Sequence, residues 1–347
     1  MINNIEIFEF AQCISALKQY RMVASSHIDK LEKSGFRTEE EISEMRVAVN
    51  NNADILEKIV EISPGAFGRE EFMNLPQLNT EFDHSDLHQI CASLKSAARD
   101  WTSIGFAEIC ETYCPIIDVI QKYISPNGTV FVPGSGLCRL PLEIANFGYR
   151  TITSESAFIM LVMTLVSFSC PNMFTIHPFI HSTAGLDKFS DCLISAPFSD
   201  YSHCMKCHMG GLNEDGCTCL NPQSLLENDL LILGAGKFES ICKNVNSEYD
   251  CVVTCYFIDA VKDIKHTIKL IHQVLKDGGI WINMGPMVPH FQEDEMFPEF
   301  TIADIESIAQ QNHLSLCENH KVQTSYAQNP LSHIKTTYNC DLKVYRK

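Results

Sequence analysis

The sequence predicts an α/β fold: a seven-stranded, mostly parallel sheet preceded by an N-terminal helical cap. Three observations predict it. From residue 129 onward, short β-branched and apolar runs alternate with segments of helical period, the pattern of parallel strands joined by right-handed crossovers. The last two strand-like runs, 314–324 and 336–345, have no helix between them and therefore read as an antiparallel edge hairpin. Before residue 129 the apolar spacing is helical. The predicted division is a helical cap or lid over 1–100 and the sheet domain over 101–347, with a Cys-rich insertion around 185–225.

Residues 5–62 read as helical, with Ile5, Phe8, Ala11, Ile14 and Leu17 on one face. Thr38-x-x-Glu41 is a capping box that starts a new helix, and Pro64 and Gly65 end the region. Residues 66–84 read as a connector. Helices are expected from Asp86 to Trp101, which carries Arg99, and from Ala107 to Tyr123. Thr129, Val130, Phe131 and Val132 form the first strand, which Pro133 and Gly134 break. Leu140 to Phe147 is a helix stopped by Gly148, and Thr151 to Thr153 a second strand ending at Glu155. The apolar run Ala157 to Phe168 is about a dozen residues, short of the roughly 20 that cross a membrane, and reads as a buried helix. Leu230 to Leu233 is the third strand, and Cys251 to Phe257 the fourth. A helix over Ile264 to Leu275, a turn over Lys276 to Gly279, a strand over Ile280 to Met284 and a helix over 302–311 follow.

With 45% hydrophobic residues in 347, the chain can build a sizeable core. Its net charge of −17, from 43 acidic and 26 basic residues, argues against binding nucleic acid phosphates or an anionic membrane face. The first residues, MINNIEIFEF, lack the basic region of a secretory signal, so the 16 cysteines are expected as reduced thiols in the cytoplasm or nucleus.

The stretch from Thr129 to Glu155 carries the chemistry. Gly134 and Gly136 allow a tight turn and a close approach of backbone to ligand. Glu155, about 20 positions past the first glycine, suits a grip on ribose hydroxyls. A G-x-G-x-x-G dinucleotide fingerprint would need glycine at 139, where Arg139 stands. A mononucleoside ligand such as S-adenosylmethionine fits better, within a Rossmann-like sheet of the methyltransferase type. Ligands of such sheets bind at the carboxyl ends of the strands, which here fall at Gly134, Glu155, Phe238 and Cys255 to Asp259.

FVPGSGLCRLPLEIANFGY with ESAFIML resembles the nucleotide-binding core of the carnosine N-methyltransferase family, and the run from TCYFID through GGIWINMGP to His290 resembles its second half. LKSAARDW, residues 94–101, is similar to that family's Arg-Asp-Trp element. The resemblance spans roughly residues 5–347, with a gap around 185–225. It implies cofactor contacts at Arg99, Gly134, Glu155, Phe238 and Cys255. Arg99 would pair with the methionine carboxylate, and Phe238 would pack on the adenine. It implies acceptor contacts at Asp259, His290 and Tyr338, with Tyr326 a weaker candidate. Three positions depart from the family pattern: Ser96 replaces a glutamine, Cys138 a glycine and Lys237 an acidic residue.

The implied activity is transfer of a methyl group from S-adenosylmethionine to the imidazole of a histidine-containing dipeptide such as carnosine. The alternatives are a histidine side chain in a protein or peptide, or a noncatalytic relative that only binds the nucleoside. The expected partner is an acceptor bearing an imidazole, with a homodimer left open. Asp259 also fits a second role, the N-cap of a following helix, and His290 that of a partly buried loop histidine. A separate signal is the Cys-rich segment: Cys204, Cys207, Cys217 and Cys219 have the donors for a structural zinc, with His203 and His208 as spare ligands. Free thiols in a surface loop are the competing reading.

Overall fold

The computed structural model describes residues 4–66, 81–211, 220–288 and 300–347. His290, Cys217, Cys219 and most of the connector expected at 66–84 lie outside the described residues. The chain folds into two compact units: one holds 1–107, 157–201 and 326–336, the other 108–156, 202–325 and 337–347.

The first unit is mainly helical. Helices Asn4–Ser34 and Glu39–Ala66 are joined at the Thr38 signal. The capping box forms as expected: Thr38 Oγ1 accepts the Glu41 N–H at 3.2 Å, and Glu41 accepts the Thr38 N–H at 3.0 Å. Two ion-pair clusters tie the helices together, Arg21 to Asp54 and Glu57, and Arg46 to Asp29 and Glu32. Helix His84–Trp101 starts two residues earlier than the apolar spacing suggests, because Asp83 and Asp86 make a reciprocal cap. Its last residue, Trp101, is buried against Phe168 and Tyr201. Phe168 belongs to helix Phe158–Ser169, the apolar run read as a buried helix. Two short strands, β3 (Thr175–Ile176) and β4 (Ala196–Pro197), pair antiparallel in this unit.

The second unit contains the sheet. Its strands are β1 (Thr129–Pro133), β2 (Arg150–Ser154), β5 (Leu231–Ile232), β6 (Tyr249–Cys255), β7 (Leu275–Gly285), β8 (Ser315–Thr324) and β9 (Tyr338–Arg346). They lie in the order β5-β2-β1-β6-β7-β9-β8. The first five are parallel, and β9 runs antiparallel to both β7 and β8. This is the seven-stranded arrangement expected from the sequence, edge hairpin included. One boundary differs. Residues 276–279, read as a turn, sit inside β7 as an irregularity between the Tyr249–Leu275 and Cys251–Ile280 pairs. Gly278, at φ +78°, supplies the left-handed kink there. Helices Ile264–Val274 and Ile302–Gln311 cover one face, over a core that includes Phe131, Trp281 and Tyr345.

Arg139 explains why no glycine stands at that position. It opens helix Arg139–Asn146, is almost wholly buried, and donates to Glu143 at 2.9 Å and to the His203 carbonyl at 2.6 Å. Glu143 in turn accepts the Met205 N–H at 3.1 Å. Burial pushes the Glu143 carboxyl above the usual carboxylate range, against the pull of Arg139. Glu143→Gln leaves the Arg139 charge buried with a neutral neighbour, and should cost about 3–5 kcal/mol in denaturant unfolding. The double variant Arg139→Met, Glu143→Leu should recover most of that loss. A single variant as stable as the parent would show that the pair carries no such energy.

Candidate functional site

The strand order turns between β1 and β6. From β1 the chain moves outward through β2 to β5; from β6 it moves the other way through β7. Loops at the carboxyl ends of β1 and β6 therefore diverge and leave a crevice. Four of the strand ends singled out in the sequence meet there. Gly134 has φ +61°, and a Cβ on it would lie 2.3 Å from the Phe257 ring, which follows β6. Gly136, at φ +53°, has open space around that position. Its N–H donates to Glu155 Oε2 at 2.7 Å, and Glu155 Oε1 accepts the Ser156 N–H at 2.7 Å. The Glu155 backbone bridges to Ala235, and its carbonyl accepts the Gly236 N–H at 2.7 Å, which brings in the turn after β5.

These features fit a nucleoside-bearing cofactor. Two glycines adopt left-handed conformations at the turn, and a carboxylate at the end of β2 accepts two backbone N–H groups beside it. Cys138, the family's glycine position, has φ +62° and ψ +17°, a conformation glycine adopts without strain. Lys237 is exposed and precedes helix Phe238–Cys242 without a side-chain cap. Phe238 is 3% exposed and packs in the core, stacked on Phe131 at 5.7 Å and edge-on to Phe257 at 6.1 Å. Cys255 ends β6 and is half-buried.

Arg99 and Tyr326 belong to the helical unit, where they meet. The Arg99 guanidinium lies 4.7 Å from the Tyr326 ring centroid and donates to Asp100 at 2.7 Å. Gly105 makes the close turn beyond Trp101, since a Cβ there would sit 2.2 Å from the Arg99 backbone.

Of the acceptor candidates, Asp259 lies at the ends of β6 and β7, and His290 lies outside the described residues. A shallow cleft opens at those strand ends, enclosing about 20 Å³ and lined by Tyr256, Asp259, Asn283, Asp341 and Lys343, among others. Asp259 is buried in a short 3-10 turn, Ile258–Ala260, and accepts the Val288 N–H at 3.5 Å. It is not a helix cap: the following helix begins at Ile264, and Asp263 caps it by accepting the His266 N–H. Tyr338, half-buried, opens β9 opposite Thr324, whose hydroxyl bonds the Tyr256 hydroxyl at 2.7 Å. Asp341, Lys343, Asn283 and Tyr256 were missed in the sequence. A signal for the first two exists: they share one face of a strand whose alternate residues, Cys340, Leu342 and Val344, are apolar.

In the Cys-rich segment, Cys204 is buried and caps helix Met205–Met209 by accepting the Cys207 N–H at 3.3 Å. The potential metal ligands that converge among the described residues are Cys110, Cys114 and His208. A hydrogen bond from Cys110 holds the Cys114 thiol below its ordinary range.

A sequence profile of the family described as Carnosine N-methyltransferase matches residues 76–347. The chain belongs to the carnosine N-methyltransferase family. The Mus musculus carnosine N-methyltransferase is 30% identical over 321 residues, covering 88% of this chain and 75% of the relative. The Schizosaccharomyces pombe carnosine N-methyltransferase is 25% identical over 368 residues, covering 96% of this chain and 94% of the relative. Among solved structures, an S-adenosylmethionine-dependent methyltransferase from Methanosarcina mazei aligns with a TM-score of 0.40 at 11% identity, over 66% of this chain and 96% of that one. Among the described residues no helix is long and apolar enough to cross a membrane.

The turn after β1 yields a direct test. Gly134→Ala places a methyl group against Phe257 and forces a left-handed alanine. It should lower stability by about 2 kcal/mol or more, measured by denaturant unfolding. Gly136→Ala meets no neighbour and should cost less. Equal effects of the two would remove the steric argument.

Proposed function

We propose that this protein methylates an imidazole nitrogen of a histidine-containing dipeptide such as carnosine, with Asp259 orienting the ring. The observation that carries the reading is a buried carboxylate at the end of β6, lining a cleft, in a chain of this family. S-adenosylmethionine supplies an electrophilic methyl group on a sulfonium. In the proposed arrangement Gly134 and Gly136 present backbone to the nucleoside, and Glu155 accepts from the ribose hydroxyls. Phe238 forms the apolar floor, and Cys255 ends the strand beside it.

Asp259 accepts the imidazole N–H, which fixes the tautomer and turns the bare nitrogen toward the methyl group. Tyr338 and His290 position the rest of the acceptor. No strong base is needed, because a neutral imidazole already offers a lone pair; rate comes from alignment of nitrogen, carbon and sulfur. The proton on the product ring leaves to solvent after transfer.

Asp259→Asn keeps the size and presents an amide donor, which favours the tautomer whose attacking nitrogen is protonated. Single-turnover methyl transfer to carnosine should fall about a hundredfold or more, a loss of about 2.7 kcal/mol or above in transition-state stabilisation. Cofactor affinity, measured by titration, should barely change. In the parent, kcat/KM should fall about tenfold per pH unit below the acceptor's pKa of about 6.5, because the imidazolium has no lone pair to give. Transfer by Asp259→Asn at the parental rate would overturn the orienting role. Loss of cofactor binding together with turnover would move Asp259 into the cofactor site.

A further inference from the structure

Cys110 and Cys114 stand four residues apart on helix Phe106–Tyr123, so their thiols share one face. His208 comes from the short helix Met205–Met209. One ligand atom from each of the three lies within 4.8 Å of the other two. Both cysteines are half-buried and His208 is exposed, so the group opens to solvent on one side. Two sulfurs and an imidazole nitrogen form a donor set for a borderline-soft, tetrahedral ion. Two thiolates on one zinc stand about 3.8 Å apart, given Zn–S bonds of about 2.3 Å. Closing the site from separations of at most 4.8 Å therefore needs shifts of about 1 Å.

The backbone that carries His208 is fixed independently of any metal. Arg139 donates to the His203 carbonyl, Glu143 accepts the Met205 N–H, and the His208 N–H donates to the Cys204 carbonyl at 3.1 Å. The Cys114 thiol lies 3.6 Å from the Met205 sulfur, so the two helices already touch beside the group. The three residues are thus held close by contacts that do not depend on one another.

We propose that Cys110, Cys114 and His208 bind one zinc ion, with a water molecule in the fourth position, and that the ion pins helix Met205–Met209 to helix Phe106–Tyr123. Binding releases the two thiol protons to solvent, and the two thiolates then balance the charge of the ion. The ion takes no part in methyl transfer. Its effect is on the segment that satisfies the buried Arg139–Glu143 pair, at the start of the helix that follows the glycine turn. The set differs from the one suggested by cysteine spacing, two members of which, Cys217 and Cys219, lie outside the described residues.

The test uses the full chain, stripped with a chelator and titrated with zinc. Metal content is measured by elemental mass spectrometry and affinity by competition with a chelating dye. The parent should bind one zinc per chain, with a rise in Tm of several degrees on saturation. Cys110→Ser, Cys114→Ser and His208→Ala should each weaken binding about tenfold or more, and the cobalt-loaded protein should lose sulfur-to-metal charge-transfer absorption with each Cys→Ser change. His208 is exposed, so His208→Ala keeps the test valid if a cysteine variant fails to fold. A folded parent that binds no zinc on titration would overturn the proposal. So would undiminished binding by His208→Ala, or binding lost with Cys204→Ser, Cys207→Ser and kept with Cys110→Ser, Cys114→Ser.

Discussion

Parallel pairing of β1 with β6 is the constraint on which the second unit depends. These strands are neighbours in the sheet yet about 120 residues apart in the chain, with Val130 beside Cys251 and Phe131 beside Val252. Because the chain leaves β1 in one direction and β6 in the other, neither following loop can cover the crevice between them. The glycine turn, Phe257 and Asp259 are all placed by that divergence. The contact between Gly134 and Phe257 is the point where the two loops meet, and it tolerates no Cβ.

The turn is stabilised from both sides by groups that would otherwise be unsatisfied. Glu155 accepts N–H groups from Gly136 and Ser156, so its carboxylate is fixed across the turn. Behind the turn, Arg139 and Glu143 form a buried ion pair, which alone is weak evidence for stability. Here each partner also bonds backbone of the 203–205 segment, so the pair acts as a clamp between the glycine-turn helix and a distant loop. Glycine at 139 would pack more closely, but it would leave the His203 carbonyl without that donor.

Much of this was legible in the sequence, and the failures have physical causes. The strand–turn–helix–strand unit up to Glu155 was read within a residue or two, because β-branched runs and glycine breaks are local signals. The capping box at Thr38 and Glu41 was local in the same way. Asp259 had two readings, and sequence alone could not choose, since Asp259 and Asp263 both precede helical residues; only the backbone assigns the cap to Asp263. Residues 276–279 look like a free turn, but sheet pairing on both sides absorbs them into β7. The convergence of Cys110 and Cys114 with His208 was invisible, because about a hundred residues separate the helix from the segment that meets it. Cysteine spacing drew attention to Cys204, Cys207, Cys217 and Cys219, the last two of which lie outside the described residues.

Behind Asn283, which lines the cleft at the ends of β6 and β7, the strand interior is tightly bonded. Trp281 donates its indole N–H to Thr254 Oγ1 at 2.8 Å, and Thr254 donates to Asn283 Oδ1 at 2.8 Å. Tyr345 stacks on Trp281 at 4.8 Å and locks the indole. The Thr254 hydroxyl has one proton and two acceptors in reach, Asn283 Oδ1 and the Ile282 carbonyl at 3.3 Å. Across the same cleft, Lys321 pairs with Asp341 at 2.6 Å, and Lys343 pairs with Glu306. Charges on β9 are thus compensated within the protein, which lowers the cost of holding them near a buried carboxylate such as Asp259. Side chains held this way lose their rotamer freedom during folding, so the cleft lining is ordered before any ligand arrives.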